Sequence, residues 1–299
     1  MKSTRRDFLK TAAITAGTAV IAPEFVSASA GRIRPMKPNF LMIVADDMGY
    51  SDAGCYGGEI ATPNLDKLAA NGLKFTQMYS TARCWPSRSC IMTGYYAQQI
   101  RRDALPGQPG KVFGAGGTRP EWARLLPEML KPCGYRSYHT GKWHVDGLPL
   151  AGGFDISYEY SKEDSHYTRE NRPEDFAALA GAEKEEGYNT TTSVTDNAVL
   201  QLRDHSRNHA GKPFFQYIAY KTPHFPLQAL KADIDRYRDK YLSGWDDMRE
   251  KRWKRMRDMG LINCALSQLE PHCIAWLKYE EDVHKKVGPL EVTRAVPWA

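Results

Sequence analysis

Long apolar runs are missing from this chain. The stretch from Ala12 to Ala22 has eleven residues, about half of the ~20 that a bilayer-spanning helix needs. Stable membrane insertion is therefore not expected. Charge of one sign is not in excess either: 41 Lys and Arg against 35 Asp and Glu give a formal +6. There is no aromatic-and-basic repeat, no zinc-finger spacing and no basic heptad region, which argues against a nucleic-acid partner. Cysteine is sparse, with six residues: Cys55, Cys84, Cys90, Cys133, Cys264 and Cys273. Their spacing fits no disulfide framework, and connectivity is not readable from it. What remains is ordinary globular composition, 42% hydrophobic and 25% charged over 299 residues. That length suits one large domain or two small ones.

The first thirty residues read as an address. Arg5 and Arg6 precede Phe8-Leu9-Lys10, the apolar stretch follows, and Ala28-Ser29-Ala30 offers small residues for cleavage before Gly31. Ser3 to Lys10 resembles a twin-arginine export signature. The resemblance implies residues 1–30 as a signal peptide read by the twin-arginine translocase. It implies export of a folded protein, periplasmic or to the cell surface. Removing those residues takes away four basic and two acidic side chains and leaves +4.

Three apolar segments each end in polar residues with chemical potential. Asn39 to Ala45 is a continuous apolar run that predicts a strand buried on both faces. It ends in Asp46-Asp47-Met48-Gly49, and adjacent carboxylates there are hard oxygen ligands for Ca²⁺ or Mg²⁺. Tyr135 to Thr140 alternates as a strand and runs into Gly141-Lys142-Trp143-His144. Lys142 offers a point charge for an oxyanion, and His144 a proton acceptor near neutral pH. Lys212 to Tyr220 predicts another buried strand, followed by Pro223-His224-Phe225-Pro226, where His224 is held between prolines. Each residue alone is also compatible with a solvated turn, a surface lysine or a packed histidine.

The segment Cys84-Trp85-Pro86-Ser87-Arg88 opens a predicted helix. Proline suits the first helical turn, which puts Cys84 at a helix N-terminus, where the dipole favours an anion. Arg88 follows one turn later. Such surroundings suit a reactive cysteine or a bound oxyanion. The alternative is a structural cysteine before a helix.

The spacing also predicts a helix over Thr62–Gly72 with Leu65, Leu68 and Ala69 as its apolar face, and a strand over Leu73–Tyr79. Helices are expected over Pro120–Lys131, over Thr191–Arg203, and as one or two amphipathic helices between Lys231 and Gly260. Residues 161–187 read as an exposed loop.

Cys84-x-Pro86-x-Arg88 followed by Thr93-Gly94 resembles the modification signature of the sulfatase family, with Trp85 in a variable slot. Asp46-Asp47-x-Gly49, the Thr62-Pro63-Asn64-x-Asp66 helix, Gly141-Lys142-Trp143-His144 and His224 resemble the family's other motifs, in the same order. The resemblance implies an α/β fold with a large mixed, mostly parallel sheet flanked by helices, as in the alkaline phosphatase superfamily. It implies a sulfuric ester hydrolase of arylsulfatase type, in which a formylglycine-generating enzyme converts Cys84 to formylglycine. Asp46, Asp47 and the modified Cys84 would ligate Ca²⁺, with Mg²⁺ as the alternative. A hydroxyl of the hydrated aldehyde would attack sulfur. Lys142 and His224 would bind the sulfate, Arg88 would steady developing charge, His144 would hold the formylglycine hydroxyl, and His224 would assist the leaving oxygen. If Cys84 is modified, an odd number of cysteines remains.

Family members run further than this chain. The resemblance thus implies that an Asp-Asn metal pair, a second sulfate-binding lysine, the last strands and a small C-terminal domain are lacking over 31–299, and that the chain alone is weakly active or inactive. Asp196-Asn197 is not that pair, because it falls on a predicted helix. The substrate class is a sulfated small molecule or glycan. A phosphonate or phosphate monoester hydrolase on the same scaffold, and a non-catalytic exported fragment, stand as alternatives.

Overall fold

The computed structural model describes residues 37–104, 117–158 and 189–268. The expectations for residues 1–30, for 161–187, for Cys273 and for the tail beyond 268 lie outside the described residues. The fold described begins at Pro38.

Four strands, β1 (Phe40–Asp46), β2 (Arg136–Gly141), β3 (Ile156–Tyr158) and β4 (Phe214–Pro223), form one sheet in the order β1-β4-β2-β3. All three pairings are parallel. In register, Phe40 lies against Phe215 and Ser137 lies against the same residue from the other side. The ladder between β1 and β4 shifts after Val44, so that Asp46 comes opposite Pro223. The helices are α1 (Pro63–Asn71), α2 (Cys84–Thr93), α3 (Leu126–Leu130), α4 (Thr190–Asn208), α5 (Lys231–Tyr237) and α6 (Gly244–Asp258).

The period-2 alternation of β4 sorts its side chains onto two faces. Phe215, Tyr217 and Ala219 pack with Met92 of α2 and with Leu125, Trp143 and Phe154. Ile218 packs with Val194 and Ala198 of α4. Two layers of helix thus cover the middle of a parallel sheet, the α/β arrangement that the resemblance implies. Polar residues cross this core only with partners. Gln216 Nε2 donates to Ala198 O at 2.8 Å, and Gln201 Nε2 to His139 O at 3.0 Å.

Several local expectations are corrected. The β1 run is not buried on both faces. Among the described residues β1 is an edge strand, and Leu41 and Ile43 are more than half exposed. Leu65 and Leu68 on α1 are likewise exposed. Leu73–Tyr79 forms no strand, although it alternates, because no described strand lies beside it to complete a ladder. The Pro120–Lys131 helix shrinks to α3. Pro127 sits in its first turn and the Glu128 carboxylate accepts the Leu125 amide at 2.7 Å, so the helix starts at Leu126. β3 went unforeseen, since three residues carry no readable period. The long helix, by contrast, extends beyond expectation to 190–208, capped by Asn189, whose side chain accepts the Thr192 amide. Asp196 and Asn197 lie inside it, as expected, with Asn197 bonded to Ser193 O.

His139 of β2 is fully buried, ringed by Trp143, Phe154 and Tyr217, with Nδ1 2.9 Å from Ser157 Oγ. Burial, aided by the Arg88 charge, pushes its pKa from 6.5 down to about 3. The unfolded chain therefore binds one more proton than the folded chain between these values. His139 contributes full stability above about pH 6.5, and that contribution is lost as pH falls toward 3. Burial also pushes His205 down. The midpoint of thermal unfolding is expected to drop between pH 7 and pH 5, and His139→Gln to flatten that slope. An unchanged slope in the variant contradicts the assignment.

Candidate active site

The sequence-predicted residues gather at the C-terminal ends of β1, β2 and β4, where open parallel sheets present their ligand crevice. β1 delivers Asp46, which is 5% exposed. Asp47 follows with a left-handed φ of 63° and a side chain 59% exposed. The adjacent carboxylates therefore leave the strand toward different partners.

β2 delivers Lys142 through a glycine that the geometry demands. Gly141 has φ 97°, and a Cβ there would lie 2.1 Å from Ala219 O. Only glycine lets β2 leave the sheet so close to β4. The next amide, Lys142 N, then bonds Ala219 O at 2.7 Å. Its ammonium reaches Asp46 Oδ2 at 2.5 Å. Trp143 locks the loop below, buried and donating to Gly147 O at 3.1 Å. His144 takes a left-handed φ of 50° and sets its ring 5.8 Å from that of Trp85. Left-handed backbone at a non-glycine residue costs about 1–3 kcal/mol and is concentrated at functional sites. Asp47 and His144 both show it.

α2 begins at Cys84, as the proline spacing predicts, and the thiol is part-exposed at the first helical position. Cys55, Cys84, Cys90 and Cys264 are free thiols. Arg88, one turn along, is 1% exposed. Its Nη1 donates to Lys142 O at 2.8 Å and to Tyr217 Oη at 3.2 Å. Its Nη2 donates to Tyr220 O at 3.3 Å and lies 3.5 Å from Asp46 Oδ1. One guanidinium thus ties α2 to the ends of all three strands. Burial pushes the Tyr217 hydroxyl above its usual range, so it stays protonated. β4 delivers His224, whose Nε2 lies 3.7 Å from Asp47 Oδ2 and whose Nδ1 lies 2.7 Å from Phe225 O.

Asp46, Asp47, Arg88, Lys142 and His224 are joined by these contacts, and His144 and Cys84 belong to the two segments that Trp85 brings together. Arg88 differs from its expected posture. Its fork is spent on protein acceptors, which makes it an organiser beneath the crevice. Tyr217 was missed, because a tyrosine inside an apolar strand reads as core. Buried Lys221, 2% exposed near the end of β4, was missed because a lysine just past an apolar run reads as a solvated turn.

The carboxylates are the hard donors that a divalent cation takes. Asp46 already draws a cationic group to each oxygen, so the position calls for positive charge. Among the described residues, however, no group of three or more His, Cys, Asp or Glu side chains is gathered for a metal ion. Asp46 and Asp47 fit part of a calcium shell, short of its usual six to eight oxygens. Among the described residues, no helix is long and apolar enough to cross a membrane.

The family model Sulfatase matches residues 38–273. An uncharacterized sulfatase of Schizosaccharomyces pombe is 30% identical over 261 residues, covering 76% of this chain and 45% of that protein. An arylsulfatase of Klebsiella aerogenes is 27% identical, covering 76% and 52%. Human N-acetylgalactosamine-6-sulfatase is 33% identical, covering 66% and 41%. The crystal structure of Ps i-CgsB in complex with k-i-k-neocarrahexaose superposes with a TM-score of 0.56 at 29% identity, covering 76% of this chain and 54% of that one. The chain thus spans about half the length of the curated relatives it matches. With the family model covering most of its length and the strand ends arranged as described, the chain belongs to the sulfatase family.

Proposed function

We propose that this protein hydrolyses sulfate esters of a sulfated small molecule or glycan. The observation that carries the reading is the convergence on Asp46: Arg88 from α2 and Lys142 from β2 meet a β1 carboxylate beside the helix that starts at Cys84. Human N-acetylgalactosamine-6-sulfatase and the oligosaccharide-bound neighbour support a sugar as the carrier of the ester.

Cys84 is the residue to be oxidised to formylglycine by a formylglycine-generating enzyme, and that group supplies the nucleophilic oxygen once formed. Asp46 and Asp47, with the modified side chain, would hold Ca²⁺, or Mg²⁺ in its place, which supplies Lewis-acid stabilisation when bound. The other steps belong to the chain's own side chains. Lys142, a compact charge at the crevice floor, binds a sulfate oxygen. Arg88 works from below: it fixes Asp46 and the Lys142 carbonyl, so these groups are aimed before substrate arrives. At His224 the hydrogen bond to Phe225 O fixes the Nδ1 proton. Nε2 is then the nitrogen that exchanges a proton with the leaving oxygen. His144, across from Trp85, accepts a proton beside position 84. The leader over residues 1–30 supports passage through the twin-arginine translocase to the periplasm or cell surface.

The test is direct. Protein co-produced with a formylglycine-generating enzyme is assayed with 4-nitrophenyl sulfate and 4-nitrophenyl phosphate at equal concentrations in Ca²⁺. Slow but measurable release, faster from the sulfate, is expected. Faster release from the phosphate, or none from the sulfate, overturns the reading.

A further inference from the structure

The turn that follows the paired carboxylates is braced from outside the crevice. Gly49 N donates to Asp52 Oδ2 at 2.6 Å, and Asp52 N donates to Gly49 O at 3.2 Å. Asp52 in this way closes a turn over Gly49–Asp52, directly after Asp46-Asp47-Met48. Its other oxygen, Oδ1, is bound at 3.1 Å by Arg252 Nη1 of α6, across a sequence separation of 200 residues. The same nitrogen reaches Ser51 Oγ at 3.3 Å.

The remaining guanidinium nitrogens grip Glu59, at the far end of the loop. Arg252 Nη2 donates to Glu59 Oε1 at 2.5 Å, and Nε to Oε2 at 2.9 Å. Glu59 is 5% exposed at its side chain. Burial pushes its carboxyl up, but the hydrogen bonds from Arg252 outweigh that and hold it below its usual value. A paired, buried carboxylate of this kind has one geometry available to it. Two further contacts fix α6 on the loop. Arg255 Nε donates to Gly57 O at 2.8 Å. Gly57, with φ 93°, lets Met256 lie so close that a Cβ there would be 2.8 Å from Met256 Cγ.

Neither the ester chemistry nor the sheet requires this brace. Asp46 is held by β4, Arg88 and Lys142, but Asp47, largely exposed and left-handed, has left the ladder. Its side chain meets His224, its backbone leads into the Gly49–Asp52 turn, and what closes that turn is Asp52.

We infer that Arg252 is a positioning residue for the Gly49–Asp52 turn that follows Asp46 and Asp47. Acting through Asp52 and the Gly49 amide, it lets α6 set the direction in which Asp47 leaves the sheet. Its consequence for catalysis rests on the assignment of Asp46 and Asp47 proposed above; its mechanical claim does not.

Hydrogen exchange by mass spectrometry on the full chain separates the two. Arg252→Ala is expected to speed exchange of amides in 47–53 by about tenfold or more, with 214–223 of β4 unchanged. Arg252→Lys, which keeps charge but loses the fork, is expected to recover part of the protection. Asp52→Ala removes the link at a side chain 40% exposed, so it tests the brace even where the Arg252 variant folds poorly. It is expected to free the same segment. Unchanged exchange over 47–53 in Asp52→Ala, or in a folded Arg252→Ala, overturns the inference. So does a rise spread evenly through the sheet. Absence of sulfate-ester turnover in the parent protein overturns the functional reading and leaves the exchange result to judge the brace.

Discussion

Replacing Cys84 by alanine is expected to remove sulfate-ester turnover, lowering kcat/KM by about a thousandfold or more. No other described side chain is placed to substitute for it. Cys84 alone heads α2, part-exposed, with Trp85 and His144 beside it and Arg88 one turn below. A loss that size is what removal of a covalent nucleophile produces, whereas loss of one hydrogen-bond donor costs about 10²–10³. The variant keeps Pro86 and Arg88, so the helix and its ties to the sheet should survive. An unchanged thermal midpoint alongside lost turnover would separate chemistry from folding. Mass spectrometry of the peptide holding Cys84 should find the aldehyde in active protein. A Cys84→Ala protein that retains most of its turnover would sink the proposal.

Arg88→Ala is expected to be the most destabilising single change in the site. The side chain is buried, and its removal strands Asp46 Oδ1, Tyr217 Oη and two carbonyls at once. Breaking a buried ion pair from one side costs about 3–5 kcal/mol where the partner charge is left uncompensated; Lys142 still faces Asp46 Oδ2, so the lower end of that range is expected. For a domain of this size that lowers the unfolding midpoint by roughly 10 °C. Arg88→Lys keeps a charge for Asp46 but cannot reach four acceptors, so an intermediate loss is expected. A midpoint within a degree or two of the parent for Arg88→Ala would show that the convergence on Asp46 contributes little to the fold.

How much of this was legible beforehand depended on distance along the chain. The Asp46, Lys142 and His224 motifs could be read because each sits at the end of an apolar segment, where a parallel sheet places its chemistry. The helix at Cys84 followed from one proline, and the α/β class from the order of motifs that resemble a known family. The exposure of β1 was not legible: Leu41 and Ile43 look like core residues, and only the sheet order shows that β1 has one described neighbour. Leu73–Tyr79 failed for the same reason, since alternation indicates a strand only where a partner exists. Arg252 and Glu59, 193 positions apart, carry no local signal whatever. Their pairing is a property of the folded chain.

The position of β1 bears on how firmly the reacting groups are held. Opening free energy is lowest where a segment has few packed neighbours and many water-facing amides. Among the described strands β1 meets that description, and it is the one that ends in Asp46 and Asp47. Among the described strands, the acidic pair thus rides on an edge rib of the sheet. Its fraying is opposed from one side by the Arg88 guanidinium and from the other by α6, so local melting, well before global collapse, is the route by which heat would disarm this crevice.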